Sequence, residues 1–419
     1  MNIMMLLKCE SCDETTLCRV GMSNRQQQPL RFSCGGCSAP VDIIFSSKGV
    51  TISGAVEIDG QIFSPDKRHF VDLHLDFPVY FGDYVPGLTP FLRAAMRIGH
   101  EAVQVHARRL SMIDDNLDIL PKFKNILKFY TKNKITPFKS SAKKLYNLDT
   151  PSDKPQDINA ILYLIIAFQM TPFYAPDGDS DRSDKTFNAV VDCNQKYKKN
   201  LDNFIKNLIE SGYLKSLQIK CLEIYPQIYA KELALRPALF LDFDDEYHQT
   251  KIPLRVSADD FDMHKELYKD IIEIISLQLS IVAGMNNLIK RGDSGKFKSG
   301  IGMTAKGKDL TPKSLDDFAK LDFAQKKNYI DDSWVDINYE DIDNKLRNSI
   351  AHNKTEYDDI NQIIYHYPRK EGIEKKSPEI LNLIEFMRIL LSVFREMHNN
   401  HHIIKSLFYY YYLQMNPQK

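Results

Sequence analysis

Two cysteine pairs constrain this chain more than anything else in it. Cys9-x-x-Cys12 and Cys34-x-x-Cys37 are separated by 21 residues. A C-x-x-C turn points two thiolates at one ion, and two such turns close a tetrahedral four-sulfur site with no open coordination position. The expected occupant is a structural Zn2+, with no catalytic metal. Of the seven cysteines, five precede residue 38, a distribution that suits metal ligation in a reducing compartment better than a disulfide framework. Cys18 is a further candidate ligand. The glycines of Gly35-Gly36-Cys37 suit a tight turn. The following stretch, VDIIFSSKGVTISGAVEI, alternates β-branched and polar residues about a Gly turn, so residues 1–62 read as a small β-rich, zinc-ribbon-like module. Residues 1 to 60 carry five basic and six acidic side chains, which makes the module no obvious grip on DNA.

A chain of 419 residues exceeds one ordinary core. Its 55 basic and 55 acidic residues balance to zero net charge, which excludes a globally basic nucleic-acid binder but not a local patch. The start, MNIMMLLKCE, lacks the features of a signal peptide. The apolar run AILYLIIAFQM is too short to cross a bilayer and reads as a buried helix. A cytoplasmic protein with no membrane partner is expected. From Thr89, a capping residue followed by Pro90, the pattern turns helical. It recurs at Phe187, Val190, Val191, Tyr197, Leu201, Phe204, Ile205 and Leu208 and stops at Gly212. A short strand is expected at ALFLDFD. Residues 63–255 are therefore read as a mainly helical middle region for sensing or RNA positioning. From 256 to 419 the pattern is helical again. A long helix runs through Leu267, Ile271, Ile275 and Leu288, and a Gly- and Lys-rich loop follows. Next come a shorter helix opened by Thr311-Pro312, a helix beginning near Tyr339, a small hairpin, and a final long helix from Pro378 with Ile380 on its core face. The class is mainly α.

Two middle segments carry chemistry. Pro121 to Leu148 holds eight lysines and no acid, interleaved with Phe123, Phe129, Tyr130, Phe138 and Tyr146. Lysines neutralise phosphates and aromatic faces stack on bases, so Lys124, Lys128, Lys132 and Lys134 are candidate RNA contacts; the plain alternative is a solvated helix face. PDGDSDRSD offers Asp177, Asp179 and Asp181 to calcium, but Arg182 stands where such a loop needs Gly and Asn188 where it needs Glu. It reads as a loop.

The remaining signal is Arg347-Asn348-Ser349-Ile350-Ala351-His352, on what reads as the end of a helix. An arginine followed by a histidine means little alone, and looser decoys occur at Arg68/His74, Arg93/His100 and Arg395 with His401 or His402. Asn348 and His352 are i and i+4 neighbours, so the amide can orient the imidazole. Arg347 and His352 lie about 140° apart on an ideal helix. They meet at one ligand only where the helix ends or kinks, or where a second copy faces the first.

This hexapeptide resembles the RNxxxH signature of the HEPN ribonucleases. The surrounding helix order is similar too, over residues 257 to 415, and HNKTEYDDINQIIYHY resembles HEPN proteins of bacterial abortive-infection and anti-phage systems. The resemblance implies a HEPN-like helical bundle forming a homodimer that cuts RNA without metal, answering a phage-derived or host trigger. The 2′-hydroxyl would be the nucleophile. His352 would be general acid or base, Arg347 would hold the phosphate, and Asn348 would set the imidazole. Two other readings stand beside it. One is a non-catalytic HEPN-type dimerising nucleic-acid-binding module; the other is a zinc-ribbon regulatory protein.

Overall fold

A computed structural model of the chain describes residues 2–60, 69–176, 180–258, 260–368 and 377–416. Eight strands come first: β1 (Asn2–Cys9), β2 (Thr15–Gly21), β3 (Gln28–Ser33), β4 (Pro40–Ser46), β5 (Gly49–Ser53), β6 (Ala55–Glu57), β7 (His69–Leu73) and β8 (Val79–Tyr80). Helices follow: α1 (Pro90–Thr131), α2 (Ile135–Tyr146), α3 (Pro155–Met170), α4 (Ser180–Glu210), α5 (Tyr213–Ala230), α6 (Glu232–Phe240) and α7 (Asp245–Thr250). After β9 (Leu254–Arg255) come α8 (Lys265–Arg291), α9 (Leu315–Ala319), α10 (Phe323–Lys326) and α11 (Asn344–Ala351). The chain finishes with β10 (Thr355–Asp358), β11 (Ile363–His366), β12 (Glu379–Asn382) and α12 (Leu383–Tyr410). The mainly α class holds, with small sheets at the N-terminal end.

The chain divides into two compact units, each assembled from three segments. The first comprises Met1–Leu117, Ala230–Glu266 and Lys345–Leu391. Its sheets run β6-β1-β2-β7, with β7 parallel to β2, and β3-β4-β5. Alternating residues of β3 and β4 point inward, so Leu30, Phe32, Val41, Ile43 and Phe45 share a core with Leu7, Val20, Val71, Leu73 and Ala258. This unit buries charge in pairs. Arg236, 1% exposed, bonds Glu232 at 2.5 Å, Asp76 at 3.1 Å and Asp114, and Glu232 also takes Arg25. Arg19 grips Asp72 at 2.9 and 2.6 Å beside the edge-to-face rings of Phe70 and Tyr84.

The second unit comprises Asp118–Tyr229, Leu267–Asn344 and Ser392–Lys419. It is helical, and its buried polar groups are mostly neutral. The Tyr225 hydroxyl lies 2.9 Å from His398 Nδ1 and 2.7 Å from His401 Nδ1, and His401 Nε2 lies 3.0 Å from the Tyr163 hydroxyl. The Gln278 amide on α8 donates to the Met397 carbonyl on α12 at 2.9 Å. Gly284 on α8 is fixed by space, because a Cβ there would sit 2.6 Å from the Phe204 ring. Phe261–Arg291 is long and apolar enough to cross a bilayer by composition, but 83% of that window is buried in the fold, as in a core helix.

Several sequence expectations are met in detail. Thr89 caps α1 through the Leu92 N–H at 3.3 Å. Gly212, at φ +73°, separates α4 from α5. AILYLIIAFQM lies in the buried helix α3, and the hairpin is β10–β11. Others need correction. ALFLDFD is no strand: it completes α6 and a 3-10 turn over Leu241–Phe243. Its carboxylates serve helix α1, Asp242 accepting from Arg109 at 2.7 Å and Asp244 from Arg97 at 2.6 Å. The helix expected at Thr311-Pro312 begins at Leu315, where Ser314 caps the Asp317 N–H at 3.1 Å. The helix expected near Tyr339 begins at Asn344. The last helix begins at Leu383, since residues 379–382 pair with β11 and leave Ile380 exposed. Asp177 and Asp179 of the calcium reading, the side chain of Asp181, and Arg68 lie outside the described residues.

Candidate functional site

The first constellation is the cysteine cluster. The two C-x-x-C turns, far apart in sequence, fold identically. Cys9 N–H donates to Glu14 O at 2.9 Å and Asp13 N–H to Cys9 O at 3.1 Å; Cys34 N–H donates to Ala39 O at 2.9 Å and Ser38 N–H to Cys34 O at 2.9 Å. The residue after each second cysteine is left-handed, Asp13 at φ +60° and Ser38 at φ +61°. The sulfurs consequently converge: Cys9 Sγ lies 3.7 Å from Cys37 Sγ and Cys12 Sγ 3.6 Å from Cys34 Sγ, with all four within 4.8 Å of one another. A zinc tetrahedron with bonds of about 2.3 Å has edges of roughly 3.8 Å, so the donor set fits. The Ser11 N–H, 3.4 Å from Cys9 Sγ, stabilises that sulfur as thiolate and holds its pKa down to about 7.

The two glycines of the second turn are there for space. Neither has positive φ. A Cβ on Gly36 would stand 3.2 Å from Cys12 Sγ, and one on Gly35 would stand 2.9 Å from the His69 ring. Cys18 is not a ligand candidate. It is fully buried on β2 in the sheet core, away from the other four, and burial pushes its thiol pKa up.

The second constellation is the motif helix. Leu346, Ser349 and Ile350 face inward and anchor α11, and the Ser349 hydroxyl returns to Lys345 O at 2.8 Å. The opposite face carries the motif: Asn348 and His352 are exposed and Arg347 is half-buried. The helix stops at Ala351. His352 N–H makes the last helical bond, to Asn348 O at 3.0 Å, and Asn353 turns left-handed at φ +53°. Lys354 N–H then donates to Ser349 O at 2.7 Å, a common helix-terminating arrangement. His352 thus stands just past the last helical residue, as the sequence geometry required for any convergence with Arg347. The expected amide–imidazole bond is not made: Arg347 Nη1 donates to Asn348 Oδ1 at 3.2 Å.

Burial separates one decoy from the motif, while Arg93/His100 matches the motif pair in exposure, half-buried and exposed. Arg395 donates to Phe173 O at 2.8 Å and His401 is held by two tyrosines, so that pair holds the fold. His100 is exposed beside Gln104.

The lysine tract spans the end of α1, a left-handed turn at Asn133 (φ +52°) and α2. Lys124, Lys128, Lys132 and Lys134 are all exposed, and none has an ion-pair partner among the described residues. Lys139 and Lys143 are instead paired with Asp153 and Asp149. Sequence reasoning misses Lys215, which lies against the tract, and reads the tyrosine run Leu407 to Met415, which holds Tyr412, as packing or a subunit contact. Lys215 Nζ sits 3.9 Å above the Tyr130 ring, and Tyr412 lines the same cavity. The only trace of Lys215 in the sequence is a cation among the apolar positions of α5. Comparison with protein-family models, characterised proteins and solved structures finds no match for this chain.

Proposed function

We propose that the chain is an endoribonuclease of the HEPN type, cutting RNA by attack of the 2′-hydroxyl and acting as an abortive-infection toxin in phage defence. The carrying observation is the end of α11. It presents an exposed imidazole with no bonded side-chain partner among the described residues, one turn from an arginine–asparagine pair. Stability alone gives no reason to leave an imidazole exposed and unbonded at this helix end, within one turn of Asn348. His352 would move a proton, and Arg347 would hold the phosphate and the charge developing on it. One helix end leaves His352 unoriented by Asn348, which favours a homodimer in which two such ends meet.

The four cysteines would hold Zn2+, whose chemistry here is to tie β1–β2 to β3–β4; the exposed lysines would carry the RNA backbone. The test is cleavage of labelled RNA in EDTA. Wild-type protein should yield 2′,3′-cyclic phosphate ends and spare a 2′-deoxy scissile position, whereas His352→Ala and Arg347→Ala should be inactive. Stable RNA complexes without cleavage would favour the binding-module reading. Tighter binding to duplex DNA than to RNA at one salt would favour the regulatory one. Replacing Lys124, Lys128 and Lys132 with Gln should flatten the salt dependence of RNA binding; an unchanged slope would make the tract a solvated face.

A further inference from the structure

Beside the lysine tract lies a cavity of about 220 Å3 lined by Phe129, Tyr130, Phe138, Tyr412, Lys134 and Lys215 among others. It is built by the turn between α1 and α2: Asn133 reverses the chain, Lys134 N–H bonds back to Phe129 O at 2.8 Å, and the aromatic end of α1 is left facing α2. Tyr130 and Phe138 lie 6.0 Å apart, their rings tilted at 53°. The Tyr130 hydroxyl is fixed between Asn159 Oδ1 at 3.0 Å and Gln218 Oε1 at 2.9 Å, which locks that ring.

The cation at the back of this cavity is unusual. Lys215 bonds Gln218 Oε1 at 3.2 Å and lies over the Tyr130 ring, but no carboxylate pairs with it among the described residues. Asp153, also on the lining, is engaged by Lys139 at 2.7 Å. Burial drives the Lys215 pKa down to about 8, the consequence of holding an unneutralised ammonium away from water. Lys134 stands exposed on the lining, and Lys128 and Lys132 stand exposed nearby in the chain. Aromatic faces and two unneutralised amines in one cavity call for a flat ring joined to an anion. The volume is below the roughly 300–1,000 Å3 of pockets for drug-sized molecules, which suits one ring system.

We propose that this cavity is a nucleotide-binding site, seating a single base against Tyr130 and Tyr412 and its phosphate on Lys134 and Lys215. The inference rests on the RNA reading above for its choice of ligand, and the nucleotide is either one unit of an RNA strand or a free mononucleotide.

The test is calorimetric titration of the full chain with 5′-AMP, adenosine, inorganic phosphate and a short oligoadenylate. AMP should bind saturably and at least about tenfold more tightly than adenosine or phosphate, because only AMP uses both halves of the site. Tyr412→Ala and the Lys134→Gln/Lys215→Gln double variant should each weaken AMP binding about tenfold or more. In the wild-type protein, AMP should also slow acylation of Lys215 relative to other lysines, a readout that needs no variant to fold. Oligoadenylate binding with the same variant dependence identifies the occupant as an RNA strand; binding of AMP alone identifies a free nucleotide. The proposal is overturned if neither AMP nor oligoadenylate saturates, if the variants bind as wild type does, or if Lys215 is not protected. Its failure is separable from that of the ribonuclease reading. Protein that binds AMP here but never cuts RNA refutes cleavage alone, and protein that cuts RNA without binding AMP here refutes the pocket alone.

Discussion

The cysteine cluster and the motif helix are both short patterns of reactive side chains, yet the chain treats them in opposite ways. Around the cysteines the geometry is complete within one chain: two matching turns, sulfurs 3.6–3.7 Å apart in pairs, and glycines where an added Cβ would crowd Cys12 Sγ and the His69 ring. Around Arg347, Asn348 and His352 only the scaffold is complete. Leu346 and Ile350 are buried, while Asn348 and His352 stand exposed and the half-buried Arg347 donates to Asn348. Side chains that are already satisfied serve the fold. An exposed imidazole at a rigid helix end, as His352 is, stays available to a ligand or a second subunit, since surface groups add little to stability. Variants in the two regions should therefore fail in opposite ways.

The largest effect is expected from Cys34→Ser. Cys34 is 1% exposed and its sulfur is one corner of the tetrahedron. Removing it should abolish stoichiometric zinc and cost about 4 kcal/mol or more, the range seen when a metal site is lost. Elemental analysis with thermal unfolding measures both. Cys18→Ala sharpens the point, because it should keep the metal while losing only core packing. Wild-type protein that folds normally without zinc would remove the distinction between the two regions.

Acid comes next, and it distinguishes buried from exposed histidines. Burial lowers the pKa of His74 and His106 to about 4 and that of His398 and His401 well below the usual value. Unfolded, these imidazoles take a proton near pH 6.5. Between about pH 6.5 and 4 the unfolded chain therefore binds more protons, so stability should fall as pH drops, by up to about 1.4 kcal/mol per pH unit for each group. Denaturant unfolding at pH 7.5, 6.0 and 5.0 reads this directly. A stability independent of pH across that range would mean that these side chains are not held neutral and buried.

How much was legible follows from the range of the interactions. The C-x-x-C turns and the Thr89-Pro90 helix start are set by residues within a few positions, and they were read correctly. The role of Gly35 and Gly36 was not, because the atoms they must clear belong to Cys12 and His69, distant in sequence. ALFLDFD looks like a strand because its acids alternate with apolar residues, but Asp242 and Asp244 answer arginines on α1 more than 130 residues earlier. Residues 379–382 became a strand because β11 pairs with them, which no helical periodicity reveals. At the motif, spacing showed that Asn348 could reach His352 but not that Arg347 would take its oxygen. Lys215 and Tyr412 join Tyr130 only through packing of α5 and the C-terminal segment.

The smallest effect on the fold, and the decisive one for function, is expected at His352. His352→Ala should change unfolding free energy by no more than about 0.5 kcal/mol, as exposed substitutions do, and Arg347→Ala, at a half-buried position, by somewhat more, while each abolishes RNA cleavage. The pair Arg395→Ala/His401→Ala is not a neutral control, because those side chains hold backbone and tyrosine partners inside the second unit; the exposed His100→Ala is. Architecture is tested by mixing the two dead variants. If one reaction centre draws His352 from one protomer and Arg347 from the other, co-expressed His352→Ala and Arg347→Ala chains will form some dimers holding an intact pair, and part of the activity returns. No recovery would place the centre within each chain, or require both copies of each residue. Full activity in a purified His352→Ala homodimer would show that α11 ends in a surface histidine with no chemical task, and the contrast with the cysteine cluster would then be only one of burial.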